Sequence, residues 1–122
     1  MANNGTTGAM RNFASRSSTT LYSEWLITPS IDLGTSNNYE LRFAAALTTN
    51  SATTPSTMGL DDSLCVVIST DNGTTWNRSG ILRTFTDADA VSNTPSYYTV
   101  SLAEYSGTVK LGFYHQSKTF IS

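Results

Sequence analysis

Between Tyr39 and Leu47 apolar and polar positions alternate: Tyr39, Leu41, Phe43, Ala45 and Leu47 share one face, and Glu40 and Arg42 the other. A period of two is the signature of a strand with one covered face and one wet face. The same rhythm returns at Ser96 to Leu102, with Tyr98, Val100 and Leu102 inward and Tyr97, Thr99 and Ser101 outward. It returns again near the end, where Val109, Leu111, Phe113 and His115 fall opposite Lys110, Gly112, Tyr114 and Gln116. Leu64 to Ile68 is apolar at every position, which predicts a strand packed on both sides. Ile81 to Phe85 reads as a further strand. Tyr22 to Leu33 is a β-rich run interrupted by Pro29, whose missing N–H predicts an edge or bulge position.

Turns separate these runs. Gly34 to Asn38 is one, and Asp71-Asn72-Gly73 is another, after which Thr74, Thr75 and Trp76 are expected to resume an extended segment. Thr48 to Gly59 and Thr86 to Pro95 are long polar loops, and loops of that length in a compact domain are usually functional or mobile. Residues 1–20 hold little apolar content and predict a ragged start with at most one edge strand, near Ala9 to Ala14. Strands in this number, spaced by turns, predict an all-β domain over residues 21–122, a β-sandwich of two antiparallel sheets.

At 122 residues the chain suffices for one domain with its own core. Helix formers are scarce and only 13% of residues are charged. A net charge of −2 with seven scattered Lys and Arg gives no basic footprint, so nucleic acid is not an expected partner. No apolar run approaches the roughly 18 residues of a spanning helix, so membrane insertion is not expected. No charged-then-apolar leader opens the chain, and Met1 is read as the start of a piece cut from a longer protein. The single cysteine, Cys65, lies mid-strand and reads as a small buried hydrophobe.

Catalytic constellations find no support. His115, the one histidine, is in phase with core positions and reads as a core-facing or strand-end histidine with its nitrogens satisfied rather than as a base or ligand. Asp61 with Asp62, and Asp87 with Asp89, sit at loop ends, where carboxylates cap turns or bind hard cations weakly; nothing apolar nearby would raise one pKa as a glycosidase pair requires. The chain is therefore not expected to be an enzyme. Binding is better represented. Sugars are held by C–H contacts to flat rings with hydrogen bonds from amide, guanidinium and hydroxyl groups. Tyr97 and Tyr114 fit that description, with Arg42, Lys110 and Gln116 at outward positions of other strand segments, and Trp25 and Trp76 are assigned to the core. The alternative is that these are ordinary, partly exposed strand residues. Calcium, as a structural ion, is expected to use Asp61 and Asp62 with backbone carbonyls, and Glu24 across the fold.

Two resemblances sharpen these expectations. Ser69, Asp71, Gly73, Thr75 and Trp76 match S-x-D-x-G-x-T-W, so the turn resembles an Asp-box hairpin, in which Ser and Asp cap the turn and Trp packs beneath it. Glu24-Trp25-Leu26-Ile27-Thr28-Pro29 followed by Ile31-Asp32-Leu33, then Tyr39 to Ala45, Leu64 to Trp76 and Tyr98 to Tyr114, resemble in order and spacing the cleaved-adhesin and choice-of-anchor J modules of secreted bacterial proteins. Those modules are jelly rolls related in shape to MAM domains. The resemblance implies a secreted, extracellular, non-catalytic module that attaches its parent to carbohydrate or a cell-surface component, or a MAM-like module for protein interaction or oligomerisation. It also implies a closing acidic strand whose carboxylates join Glu24 at a calcium site. The chain ends at Phe120-Ile121-Ser122 without that segment. An open edge is expected there, with three outcomes: the segment near Ala9 to Ala14 fills it, it stays wet, or a second copy donates a strand, which would make a homo-oligomer.

Overall fold

The computed structural model describes Met10 and residues 22–35, 38–49 and 52–117. The edge strand expected near Ala9 to Ala14 and the end of the chain beyond Ser117 lie outside the described residues, Met10 excepted. Among the described residues there are seven strands: β1 Tyr22–Ile27, β2 Ile31–Asp32, β3 Glu40–Ala45, β4 Asp62–Ser69, β5 Ile81–Phe85, β6 Ser96–Ser101 and β7 Thr108–Ser117. They form two antiparallel sheets. One follows the order β1-β7-β4-β5, with β2 also on β7, and the other is the pair β3-β6. This is the all-β architecture that the alternating pattern predicts.

Strand β7 is the spine of the larger sheet. On one side it pairs with β4 from Asp62↔Ser117 to Ser69↔Lys110; on the other it pairs with β1 and then β2. The edge strand breaks at Thr28-Pro29-Ser30, as the proline requires. The break leaves little unsatisfied, because the Thr28 N–H donates to the Leu111 carbonyl at 2.9 Å and the Leu111 N–H donates to Thr28 Oγ1 at 3.0 Å. A side-chain oxygen thus replaces a backbone acceptor.

The sheets meet through residues of matching parity. Phe43 of β3 packs edge-on against Phe113 of β7 at 5.2 Å and near Phe85 of β5 at 6.1 Å, and Phe85 packs against Tyr98 of β6 at 4.8 Å. Leu33, Ile68, Leu102, Val109 and Leu111 form the aliphatic half of the core. Cys65, Val66, Val67 and Ile68 are all buried, so β4 is covered on both faces as its unbroken apolar run predicts.

One expectation needs correction. Thr74 to Trp76 do not resume a strand: Thr75 to Asn77 are irregular, a 3-10 turn spans Arg78–Gly80, and pairing restarts only at Ile81. The Thr75 N–H is occupied by the Asp71 carboxylate at 2.9 Å, so the turn consumes a donor that a ladder would need. The chain rejoins β4 at Gly80, whose backbone lies so near Ile68 that a Cβ would sit 2.4 Å from the Ile68 carbonyl oxygen.

The two long loops lean on each other. The Leu47 N–H donates to Ser92 O at 2.8 Å and Asn93 Nδ2 donates to Thr53 O at 3.0 Å. Asp89 caps its own 3-10 turn by accepting the Thr86 N–H at 2.8 Å and lies 3.3 Å from the Arg83 guanidinium. It is a turn cap, one of the two roles the sequence allows it.

Candidate functional site

The site grows from the turn after β4. Asn72 and Gly73 take positive φ of 59° and 83°, which Asn tolerates and Gly adopts without cost. Ser69 donates to Asp71 Oδ1 at 2.6 Å and accepts the Gly73 N–H at 2.9 Å, and Thr75 donates its hydroxyl to Asp71 Oδ2 at 2.5 Å. These hydroxyls, Ser69 first and Thr75 second, together with the Thr75 N–H, lower the Asp71 pKa to about 2. The carboxylate is therefore charged at neutral pH and acts as the knot of the turn. Asn72 also meets Ser30 of the broken edge strand across β7.

Below this turn lies an aromatic cluster on the outer face of the larger sheet. Trp25 and Tyr114 are cross-strand partners and stack at 4.5 Å with 26° between planes. Trp76 approaches Trp25 at 5.0 Å with a 47° tilt. The rings rest on Gly112: a Cβ there would lie 2.8 Å from Trp25 Cζ3 and 3.0 Å from Trp76 Cζ3. Trp76 also lies against the turn, 3.7 Å from the position of a Gly73 Cβ, as the Asp-box resemblance implies. Trp25 and Trp76 are not in the core, contrary to the expectation from the sequence. Both lie on the outer face, with Trp25 38% exposed and Trp76 half-buried.

The five outward residues divide between two surfaces. Tyr114, Gln116 and Lys110 share the outer face of the larger sheet, the Lys110 stem running beside Gly73. Tyr97 and Arg42 share the outer face of the β3-β6 pair, where the Arg42 guanidinium lies 4.1 Å from the ring centroid of a 68% exposed Tyr97. The structure brings together each group but not the two groups, since the sheets pack by their inner faces.

Two of the acidic residues expected to bind calcium, Asp62 and Glu24, lie near His115. Its imidazole is buried on the inner face of β7, opposite Glu24 of β1 and Leu64 of β4, but against expectation its nitrogens are not both satisfied, since Nδ1 is unpartnered. Asp62, at the start of β4, accepts the Gly59 N–H on Oδ2 at 3.0 Å, while its Oδ1 is buried without a partner. Asp61 lies beside the same Gly59, and Glu24 lies across β7 from both aspartates. Among the described residues no group of three or more His, Cys, Asp or Glu side chains is arranged to hold a metal ion. Burial lowers the His115 pKa below its ordinary 6.5, with Asp62 and then Glu24 pulling it partly back.

A folded-state pKa below 6.5 favours the neutral imidazole, so the contribution of His115 to stability is complete above pH 6.5 and declines as pH falls below it. The thermal midpoint is expected to drop across that window, and His115→Gln to flatten the dependence. An imidazole midpoint above 6.5 by NMR would reverse the assignment.

Sequence reasoning missed Trp25 and Trp76 as surface residues, although the parity of Trp25 with Ser23 and against Leu26 carries a weak signal of it. Comparison of the chain with protein-family profiles, with curated proteins and with solved structures finds no match, so its functional reading rests on its own residues and geometry.

Proposed function

We propose that this chain is a non-catalytic binding module that attaches a larger, secreted protein to carbohydrate, with the outer face of the five-stranded sheet as its contact surface. The observation that carries the reading is the gathering of Trp25, Trp76 and Tyr114 on that face instead of in the core. Ring surface on a sheet is held in place by cross-strand neighbours, which suits C–H contacts to a sugar. Gln116 at one end of the β7 row and Lys110 at the other supply an amide and an ammonium for hydroxyl groups. A structural calcium on Asp61 and Asp62 belongs to the same reading and enters its test. Retention on insoluble polysaccharides, or signal on a glycan array, is expected from the unmodified chain, assayed with and without calcium. Trp25→Ala should abolish it while the thermal midpoint moves by only a few degrees. No retention under either condition would remove the carbohydrate reading.

A second reading, a MAM-like protein-interaction or oligomerisation module, is favoured by Ile27 and Ile81, which flank the rings on the same face at 50% and 38% exposure. Aliphatic surface of that kind suits a protein partner better than a sugar. A concentration series by light scattering separates the two: association that Trp25→Ala disperses would favour this reading.

A further inference from the structure

We propose that a half-open cavity at the root of the Asp71 turn seats one uncharged sugar unit, the end residue of a glycan chain; this rests on the carbohydrate reading above. The cavity has a volume of about 120 Å³ and lies where β4 ends, between the segment that follows the turn and Tyr105 of the β6–β7 connection. Thr70, Asn77 and Ser79 bring two hydroxyls and an amide to it, groups that both donate and accept. Sugar hydroxyls have the same double capacity. No lining side chain is charged, so neither an anion nor a cation would meet a counter-charge there, whereas an uncharged polyol would find its hydroxyls matched. Tyr105, only half-buried, supplies the apolar side against which the C–H face of a pyranose can lie, with buried Ile68 beneath it.

Two features of the walls favour a ligand seat over a packing gap. Asn77 occupies the position before the 3-10 turn where its side chain would ordinarily cap, yet it makes no capping hydrogen bond and lines the cavity instead. The walls are also fixed before any ligand arrives. Ser69 is 2% exposed and bonded to both Asp71 and the Gly73 N–H, Thr75 is held by Asp71, and Gly80 lies against the Ile68 carbonyl. Thr75 and Asn77 line the cavity while Trp76 between them joins the aromatic cluster on the outer face. One short segment therefore forms a wall shared by the cavity and the aromatic surface.

The test is an amide NMR titration of the intact chain with glucose, galactose, mannose, N-acetylglucosamine and galacturonate in turn. At least one uncharged sugar is expected to shift residues 68–80 and Tyr105 saturably. Asn77→Ala is expected to weaken that binding about tenfold, the scale of one lost hydrogen bond to a ligand. Ser79→Leu, which fills the space, should abolish it, and an unchanged amide spectrum elsewhere would show that the variant folds. Shifts confined to the neighbourhood of Trp25 and Tyr114 would overturn the cavity and leave the carbohydrate reading standing, as would polysaccharide retention without any monosaccharide shift in the cavity. Tighter binding of galacturonate than of galactose would overturn the uncharged class. No shift with any sugar, joined to no retention on polysaccharide, would remove both proposals.

Discussion

Replacing Phe85 by Ala is expected to cost about 3–5 kcal/mol of stability, the range for deleting a fully buried aromatic ring. Phe85 is 1% exposed and is a point at which the two sheets are tied: its ring meets Tyr98 of β6 at 4.8 Å and Phe43 of β3 at 6.1 Å, and the Arg83 guanidinium lies 4.6 Å above it. Such a loss is large against the roughly 5–15 kcal/mol by which domains are ordinarily stable. The smaller sheet has only two strands among the described residues, so few other side chains can compensate. Denaturant unfolding measures it: the midpoint should fall steeply with the slope unchanged. A loss below about 1 kcal/mol would mean that the β3-β6 pair is not seated on β5 as described. Trp76→Ala, by contrast, should cost less, because part of that ring faces solvent already.

Why Phe43 was legible and Trp25 was not is a matter of which contacts set each position. In β3, β6 and β7 the alternation Leu41-Phe43, Tyr98-Val100 and Val109-Leu111-Phe113 is local, and any covered strand obeys it. The Asp71 turn was legible too, because its partners lie within four residues. Trp25 is different. The face it takes is decided by its register with Tyr114, which lies far along the chain and beyond the break at Pro29. Large aromatic size argued for the core, and the register overruled it. Tyr97 and Tyr114 were both readable as outward, yet which sheet each belongs to depends on the strand order, which alternation does not encode. The same limit hid the surroundings of His115. Its burial follows from its parity, but the carboxylates that pull on it come from β1 and β4 and meet it only through β7.

Gly112→Ala is expected to uncouple the aromatic surface from the fold beneath it. The added Cβ would fall 2.8 and 2.9 Å from Trp25 Cζ3 and Cε3 and 3.0 Å from Trp76 Cζ3, closer than such contacts ordinarily come. Neither ring can yield alone, since Trp25 is stacked on Tyr114 and Trp76 lies against the Gly73 turn, so both must move outward. Overpacking of this kind costs about 1–3 kcal/mol. Removing a glycine from a strand returns roughly 0.5–1 kcal/mol through the lost freedom of the unfolded chain. The net loss of stability is therefore at most about 2.5 kcal/mol, and the distortion is concentrated in the surface. Two readouts follow, one of them independent of any ligand. Trp25 and Trp76, 5.0 Å apart and tilted by 47°, should give an exciton couplet in circular dichroism that Gly112→Ala diminishes. Polysaccharide retention should fall at least tenfold with it. A variant that keeps both the couplet and the retention would show that the rings do not rest on β7, and one that loses the couplet but keeps retention would move the binding surface away from Trp25 and Trp76.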